Sequence, residues 1–90
     1  MQSRFKDKVA FVTGGGSGIG AATAQRLAQE GAKVIICGRR QEPLDEVVSA
    51  IKDLGGTAYS MQVDVSNEAA FVAALEDTAK QYGGLDILVN

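Results

Sequence analysis

The stretch best suited to chemistry is the glycine-rich run at residues 13–20, which reads TGGGSGIG. A short apolar run, residues 9–12, precedes it, and a segment rich in helix-forming residues follows it. A helix N-terminus carries free N–H groups and a partial positive charge, so a loop placed there suits a phosphate group. Glycines allow the tight turn and the close approach of backbone to a pyrophosphate. The Ser17 hydroxyl is expected to donate a further hydrogen bond to a phosphate oxygen.

The spacing of this loop distinguishes several classes of phosphate-binding turn. A P-loop has Lys and then Ser or Thr after its last glycine, whereas Gly20 is followed by Ala21 and Ala22, so that class is excluded. The window at residues 16–21 fits the G-x-G-x-x-A pattern of dinucleotide-binding folds. It also contains the GxGxG of methyltransferases that bind S-adenosylmethionine, although these usually have an acid where this chain has Gly38. A glycine turn with a structural role only is the remaining alternative.

The elements that must position the loop alternate between strands and helices. Apolar, β-rich runs predict strands at residues 9–12, 33–37, 58–63 and 86–90. Three segments of helical period lie between them. Strands joined by helices pair in parallel with right-handed crossovers. The expected fold is therefore α/β, a Rossmann-like doubly wound parallel sheet of order βαβαβαβ and strand order 3-2-1-4, incomplete at the edge of the fourth strand.

Capping and turn residues set the expected bounds of these helices. The first spans residues 19–30 and is stopped by Gly31. The second begins near Pro43, is ended by the glycines at 55–56, and buries apolar residues spaced i, i+3, i+4, i+7. In the third, Ser66 is the expected N-cap, with Glu68 in the first turn, where the helix dipole favours an anion. Glycines at 83–84 close this helix.

Three motifs, in chain order, resemble those of the short-chain dehydrogenase/reductase family across all 90 residues. The glycine loop resembles the family's TGxxxGxG fingerprint, Asp64-Val65 resembles its adenine-contacting Asp-Val pair, and residues 88–90 resemble the start of its Asn-Asn-Ala-Gly segment. The resemblance implies a cofactor site that includes Gly14, Ser17, Gly18, Ile19, Gly20, Asp64, Val65 and Asn90. Asp64 could instead be an N-terminal residue of the third helix, stabilised by the helix dipole.

The residues after the second strand, Gly38-Arg39-Arg40, bear on the choice of cofactor. An Asp or Glu at this place would accept hydrogen bonds from the adenosine ribose 2′-hydroxyl and repel a 2′-phosphate. Here the acid is missing, and a guanidinium fork suits a phosphate. We therefore expect NADP(H) to be preferred over NAD(H), with Arg39 as the main contact and Arg40 as the second. Alternatively, both are solvated side chains at the start of the next helix.

The catalytic residues of the family are missing from this chain. The resemblance implies a Ser-Tyr-Lys catalytic arrangement with Tyr-x-x-x-Lys spacing. In this chain, however, Tyr59 is followed four residues later by Val63, and Tyr82 by Asp86. Residues 1–90 are therefore expected to be the N-terminal dinucleotide-binding portion of one Rossmann domain, inactive alone. The resemblance implies that the parent enzyme interconverts a ketone or 3-oxoacyl group and an alcohol by hydride transfer. It also implies that the parent is a homo-oligomer.

The amino-acid composition excludes several other classes of protein. The chain has no His, which excludes Ser-His-Asp triads and HExxH zinc sites, and a single Cys, which excludes a disulfide framework and a CxxC motif. With a net charge of −2, no basic face for nucleic acid is expected. No apolar run approaches a membrane span, and the start lacks a signal-peptide core. We expect a cytoplasmic protein. The alternatives left open are an S-adenosylmethionine-binding methyltransferase-like domain and a non-catalytic Rossmann interaction module.

Overall fold

The computed structural model describes residues 4–14, 16 and 18–90. Strands and helices alternate along this part of the chain: β1 (Val9–Thr13), α1 (Gly18–Gln29), β2 (Lys33–Gly38), α2 (Gln41–Asp53), β3 (Thr57–Gln62), α3 (Glu68–Tyr82) and β4 (Ile87–Val89). The predicted order βαβαβαβ is confirmed. The observed ends of the strands and of α1 lie within one residue of the predicted ones.

The four strands form one parallel sheet in the order β3-β2-β1-β4, as predicted. The register of β1 against β2 ends at Thr13↔Cys37, and that of β2 against β3 ends at Gly38↔Gln62. Because the strands are parallel, all of them end at one edge of the sheet, which we call the carboxyl edge. The opposite edge, where the strands begin, is the amino edge. The glycine loop and the arginine pair therefore follow neighbouring strands at the carboxyl edge.

Helices cover both faces of the sheet, because successive side chains of a strand point to opposite faces. In β1, Ala10 and Val12 pack into the core beneath α1 and α2, whereas Val9 and Phe11 pack into the core beneath α3. The Phe11 ring makes an edge-on contact with Phe71, their centroids 6.2 Å apart. This burial on both faces explains why β1 and β2 read as continuous apolar runs.

The helix ends follow the predicted signals with one correction. Pro43 lies in the first turn of α2, and Gly83 ends α3 in the left-handed conformation at φ 82°. The prediction that Ser66 caps α3 is wrong. The N-cap is Asn67, whose side-chain oxygen accepts a hydrogen bond from the Ala70 N–H at 3.1 Å. The N–H and the hydroxyl of Ser66 instead donate hydrogen bonds to the Asp64 carboxylate. Because its hydroxyl is engaged there, Ser66 does not cap the helix.

Polar contacts within the chain fix the amino edge. The Glu30 carboxylate is buried, and its two oxygens lie 3.5 and 3.4 Å from Nε of Arg4 and of Arg26. The Phe5 N–H donates to the Glu30 carbonyl at 2.8 Å. Also at the amino edge, the Asp86 carboxylate accepts a hydrogen bond from the Val9 N–H at 2.8 Å. These bonds hold the segment before β1 against α1, and the start of β1 against the segment before β4.

Candidate functional site

A cleft of about 370 Å³ opens at the carboxyl edge of the sheet. Its lining combines glycines from the ends of β1 and β2, two arginines, and apolar side chains from α2 and from the segment after β3. These residues are Gly14, Gly16, Gly38, Arg39, Arg40, Pro43, Leu44, Val63 and Val65. The glycine loop and the arginine pair, which the sequence places on different elements, thus share one cleft.

The described glycines of the loop are required by backbone geometry. Gly14 and Gly18 have φ of 64° and 58°, in the left-handed region that a β-carbon disfavours. A β-carbon on Gly16 would lie 3.0 Å from the Pro43 β-carbon, so glycine lets the loop approach α2 closely. Gly18 is also the first residue of α1, which places free helical N–H groups next to the loop, as predicted. Ser17 lies outside the described residues.

Ile19 and Gly20, the last two residues of the loop, lie in the first turn of α1 and differ in exposure. Ile19 is 87% exposed at the start of the helix, whereas Gly20 is partly buried. A large apolar side chain exposed to this degree beside a cleft is available to contact a ligand. Ile19 and Gly20 lie at the carboxyl edge with the rest of the loop, though neither belongs to the cleft lining described above.

Cys37 connects the end of β2 to the loop. It is fully buried and pairs with Thr13 across the sheet. Burial raises the pKa of the Cys37 thiol to about 11, while a hydrogen bond with the Gly14 backbone acts in the opposite direction. The thiol is therefore protonated near neutral pH. Cys37 therefore behaves as a small buried side chain of the strand.

Arg39 and Arg40 are exposed at the mouth of the cleft. Arg40 is the N-cap residue of α2, with extended backbone at φ −117° and ψ 127° and no side-chain capping bond. Among residues 4–14, 16 and 18–90, neither guanidinium takes part in an ion pair. At the preceding position, Gly38 supplies no carboxylate, and the cleft mouth carries two positive charges.

Asp64 and Val65 follow β3 at the same edge. The Asp64 carboxylate accepts hydrogen bonds from the Ser66 hydroxyl at 2.6 Å and from the Ser66 N–H at 3.0 Å. These bonds, with a smaller contribution from the positive charge of Arg39, hold the pKa of Asp64 below its usual value. Val65 is 41% exposed and lines the cleft. Asp64 lies before the Asn67 cap, outside the first turn of α3.

Asn90 is linked to the glycine loop by Thr13, the last residue of β1. The Thr13 hydroxyl is 3.1 Å from Oδ1 of Asn90 and 3.3 Å from the Val89 carbonyl oxygen, so it ties the end of β1 to the end of β4. Asn90 therefore supports the residue that begins the glycine loop, and it is not one of the residues described as lining the cleft.

Sequence reasoning missed several residues of the site. Leu44 lies in the predicted second helix and Val63 ends the predicted third strand, and both line the cleft. Gln62 was not singled out, and its side-chain Nε2 donates to the Arg39 carbonyl oxygen at 3.0 Å. The position of Leu44 could have indicated its role, since it lies one helical turn after Arg40. Local sequence gives no signal for Gln62, because its partner lies 23 residues away.

No helix in residues 4–14, 16 and 18–90 is both long and apolar enough to cross a membrane. Within the same ranges, no three His, Cys, Asp or Glu side chains come together in a group that could hold a metal ion.

Comparison with known proteins places this architecture in a family. The family described as short chain dehydrogenase matches residues 8–90. The chain belongs to the short-chain dehydrogenase family. It is 43% identical over its whole length to a 3beta-hydroxysteroid dehydrogenase of Mediterraneibacter gnavus. It is 44% identical over 99% of its length to a cis-4-hydroxycyclohexanecarboxylate dehydrogenase of Sinomonas cyclohexanicum. The chain covers 33% and 35% of these two relatives, about a third of their length.

Solved structures show the same backbone. A citronellol catabolism dehydrogenase of Pseudomonas aeruginosa superposes with a TM-score of 0.96 at 34% identity, covering 100% of this chain and 38% of that one. A short chain dehydrogenase of Burkholderia cenocepacia, solved in complex with NADP, gives a TM-score of 0.90 at 45% identity, covering 97% of this chain and 36% of that one. The Rossmann-like fold with strand order 3-2-1-4 is thereby confirmed.

Proposed function

We propose that this chain forms the adenosine and pyrophosphate half of an NADP(H) site in an oxidoreductase. The observation that carries the proposal is the cleft at the carboxyl edge, which joins the glycine loop to Arg39 and Arg40. One part of the cleft suits a pyrophosphate, and the other suits a further phosphate on the ribose. The Burkholderia cenocepacia relative described above was solved with NADP, which supports the assignment.

The pyrophosphate would lie against the glycine loop. Gly14 and Gly18 leave space for it, since a β-carbon built on either residue meets no atom within 4 Å. The free N–H groups at the start of α1 and the positive end of its dipole would stabilise the negative charge. Ser17 is proposed as a further donor on the basis of sequence. Gly20 would keep α1 close to the sheet, and Ile19 would contact the cofactor beyond the pyrophosphate.

The adenosine would occupy the rest of the cleft. Leu44, Val63 and Val65 offer apolar walls for the adenine ring. The Ser66 hydrogen bonds engage Oδ1 of Asp64, which leaves Oδ2 as an acceptor for the adenine amino group. Arg39, with Arg40 as the second contact, would bind the ribose 2′-phosphate through charge-assisted hydrogen bonds.

The reaction proposed for the whole protein is the interconversion of a ketone or 3-oxoacyl group and an alcohol. The cofactor, when bound, supplies or accepts the hydride. The chain's own residues bind and orient its adenosine half, and Asn90 holds Thr13 at the base of the loop. Two relatives are named as dehydrogenases of hydroxylated compounds, which supports an alcohol as one partner of the reaction. No Tyr-x-x-x-Lys occurs in this chain, so we propose that it is inactive alone.

Further parts of the proposal concern the setting of the whole protein. We propose a cytoplasmic homo-oligomer that acts on a small molecule and binds neither nucleic acid nor membrane. The chain's single cysteine is buried, which suits a reducing compartment. An S-adenosylmethionine site is not favoured, because β2 ends without an acid and the chain belongs to a dehydrogenase family.

Charge reversal at Arg39 tests the proposed cofactor. The affinity of wild type and Arg39→Asp for NADPH and NADH is measured by calorimetric titration. We expect Arg39→Asp to weaken NADPH binding at least tenfold and to keep or strengthen NADH binding, because the carboxylate repels the 2′-phosphate and accepts from a 2′-hydroxyl. The matched control is Lys6→Asp, the same change of charge at an exposed residue before β1.

The outcomes separate the proposal from its alternatives. An unchanged ratio of NADPH to NADH affinity in Arg39→Asp would show that Arg39 does not bind the 2′-phosphate. An equal loss in Lys6→Asp would attribute the effect to net charge. Saturable binding of S-adenosylmethionine without NADPH binding would replace the proposal by the methyltransferase alternative. A folded full-length protein that binds NADPH but reduces no carbonyl compound would favour the non-catalytic module.

A further inference from the structure

We propose that Gln62 is a positioning residue that sets the preference for the phosphorylated cofactor by fixing the backbone of Arg39. This inference rests on the proposed function, since it concerns the same cleft. The sequence motifs do not include Gln62. It is the last residue of β3, opposite Gly38 at the end of β2.

The hydrogen bonds at this point continue the sheet past its last regular pair. The Val63 N–H donates to the Gly38 carbonyl oxygen at 2.9 Å. One residue further along, the Arg39 carbonyl oxygen accepts from Nε2 of the Gln62 side chain at 3.0 Å. The side chain of Gln62 thus takes the place of a backbone N–H and holds the chain one residue beyond the end of β2.

A second bond holds the other end of the same segment. Nε2 of Gln41, the first residue of α2, donates to the Ser60 hydroxyl at 2.8 Å and to the Asp45 carboxylate at 2.7 Å. The two arginines lie between these anchor points, and of the Gln41 and Gln62 bonds it is the Gln62 bond that reaches the backbone of an arginine. Arg40, as the N-cap, receives no side-chain capping bond.

This anchoring affects binding because, in the described part of the chain, neither guanidinium is held by an ion pair. The backbone of Arg39 therefore sets the point from which its side chain reaches into the cleft. Ordering one residue's backbone costs free energy, and a backbone already ordered before binding does not add that cost to the ligand's affinity. A ligand that contacts Arg39 benefits from Gln62, whereas a ligand without the 2′-phosphate does not.

The test compares Gln62→Met with Gln81→Met. Methionine preserves the length of the side chain but donates no hydrogen bond. Gln81 is exposed on α3, so the control makes the same chemical change away from the cleft. The dissociation constants of NADPH and NADH are measured by calorimetry on the full chain. We expect Gln62→Met to weaken NADPH binding about threefold to tenfold and NADH binding less than twofold, and Gln81→Met to change neither.

A double-mutant cycle establishes that the effect passes through Arg39. In an Arg39→Ala background the backbone carbonyl remains, but the guanidinium is gone. Gln62→Met should then change NADPH affinity less than twofold, because no group is left to be positioned. An equal loss for NADPH and NADH in Gln62→Met, or an undiminished loss in the Arg39→Ala background, would overturn the positioning role.

The same measurements distinguish this inference from the proposed function. If wild type prefers NADPH and Arg39→Ala removes the preference, but Gln62→Met leaves it intact, the role of Gln62 is wrong and the cofactor assignment stands. If wild type shows no preference, or Arg39→Ala leaves the preference unchanged, the cofactor assignment fails and the role of Gln62 fails with it.

Discussion

The two edges of the sheet use charged side chains in opposite ways. At the amino edge, the buried Glu30 carboxylate forms ion pairs with Arg4 and Arg26, whose side chains are largely exposed. At the carboxyl edge, Arg39 and Arg40 are exposed beside a cleft, and no ion pair engages them in the described ranges. The guanidinium group is the same, but its partner differs. The charges of the amino edge hold segments of the chain together, whereas we propose that the charges of the carboxyl edge bind a ligand.

The same difference appears in the backbone. At the amino edge, the segment before β1 bonds to Glu30 and Lys33, and Asp86 bonds to Val9 through both its side chain and its N–H. At the carboxyl edge, glycines in left-handed conformation leave N–H groups and space at the start of α1. Substitutions that remove these amino-edge contacts should therefore reduce stability, and substitutions that remove the arginines of the carboxyl edge should reduce binding.

The largest expected effect comes from removing both arginines of the cleft. The double variant Arg39→Ala, Arg40→Ala should bind NADPH at least about 100-fold more weakly, since each charge-assisted bond contributes about 1.5–3 kcal/mol. Its free energy of unfolding should change by less than about 0.5 kcal/mol, as for other surface residues. The control double variant Arg4→Ala, Arg26→Ala removes the same charge at the amino edge. An equal loss of NADPH affinity in the control would break the comparison.

At the amino edge, Glu30→Ala should lower the free energy of unfolding by about 1–3 kcal/mol. The substitution leaves two guanidinium groups without their carboxylate and opens space where the side chain was buried. Chemical denaturation measures the effect. The NADPH affinity, measured at a temperature where the variant is fully folded, should change less than twofold. The exposed Glu46→Ala on α2 is the matched control, with an expected change within about 0.5 kcal/mol. A Glu30→Ala variant as stable as wild type would contradict the assignment.

A pH-dependent loss of stability should arise from Cys37 at the carboxyl edge. The folded-state pKa is raised from 9.0 to about 11, so the stabilisation is complete below pH 9 and is lost as the pH rises toward 11. Proton linkage between pH 8 and pH 10.5 then gives an expected decline of about 1–2 kcal/mol. Denaturation at pH 8 and pH 10.5 measures it in wild type and in Cys37→Ala. The same decline in both proteins would show that other groups cause it.

The smallest expected effect concerns Asp7 in the turn before β1. Its φ of 65° lies in the left-handed region, which glycine adopts without the penalty of a β-carbon. Asp7→Gly should therefore raise the free energy of unfolding by about 0.5 kcal/mol. Asp7→Ala keeps the β-carbon and should lower it. Thermal unfolding of the two variants gives the signs, and a less stable Asp7→Gly would show that the aspartate side chain stabilises the turn.

Much of the fold could be predicted from sequence because its signals are local. The continuous apolar runs of β1 and β2 reflect burial on both faces, and the glycine after each helix marks its end. The parallel order then follows from alternation of strands and helices. The glycine loop and Arg39 could be assigned to one site because parallel strands end at the same edge.

The parts that sequence did not reveal depend on contacts between distant residues or on competition between neighbours. Asp86 bonds to Val9 across 77 residues, and Gln62 bonds to Arg39 across 23. Hydrophobic periodicity along the sequence does not indicate contacts between residues so far apart. Ser66 and Asn67 are equally good N-cap residues by type, and the cap falls on Asn67 because the N–H and the hydroxyl of Ser66 both bond to Asp64.

The most direct test of the account is an NMR titration of the ¹⁵N-labelled chain with NADPH, with NADH in parallel. We predict that the amide signals of Gly14, Gly38 and Arg39 shift on addition of NADPH and shift less with NADH. The signals of Phe5 and Gly31 at the amino edge should stay in place. Shifts confined to the amino edge, or an equal response of the carboxyl edge to the two cofactors, would contradict the claim that this cleft binds the phosphorylated dinucleotide.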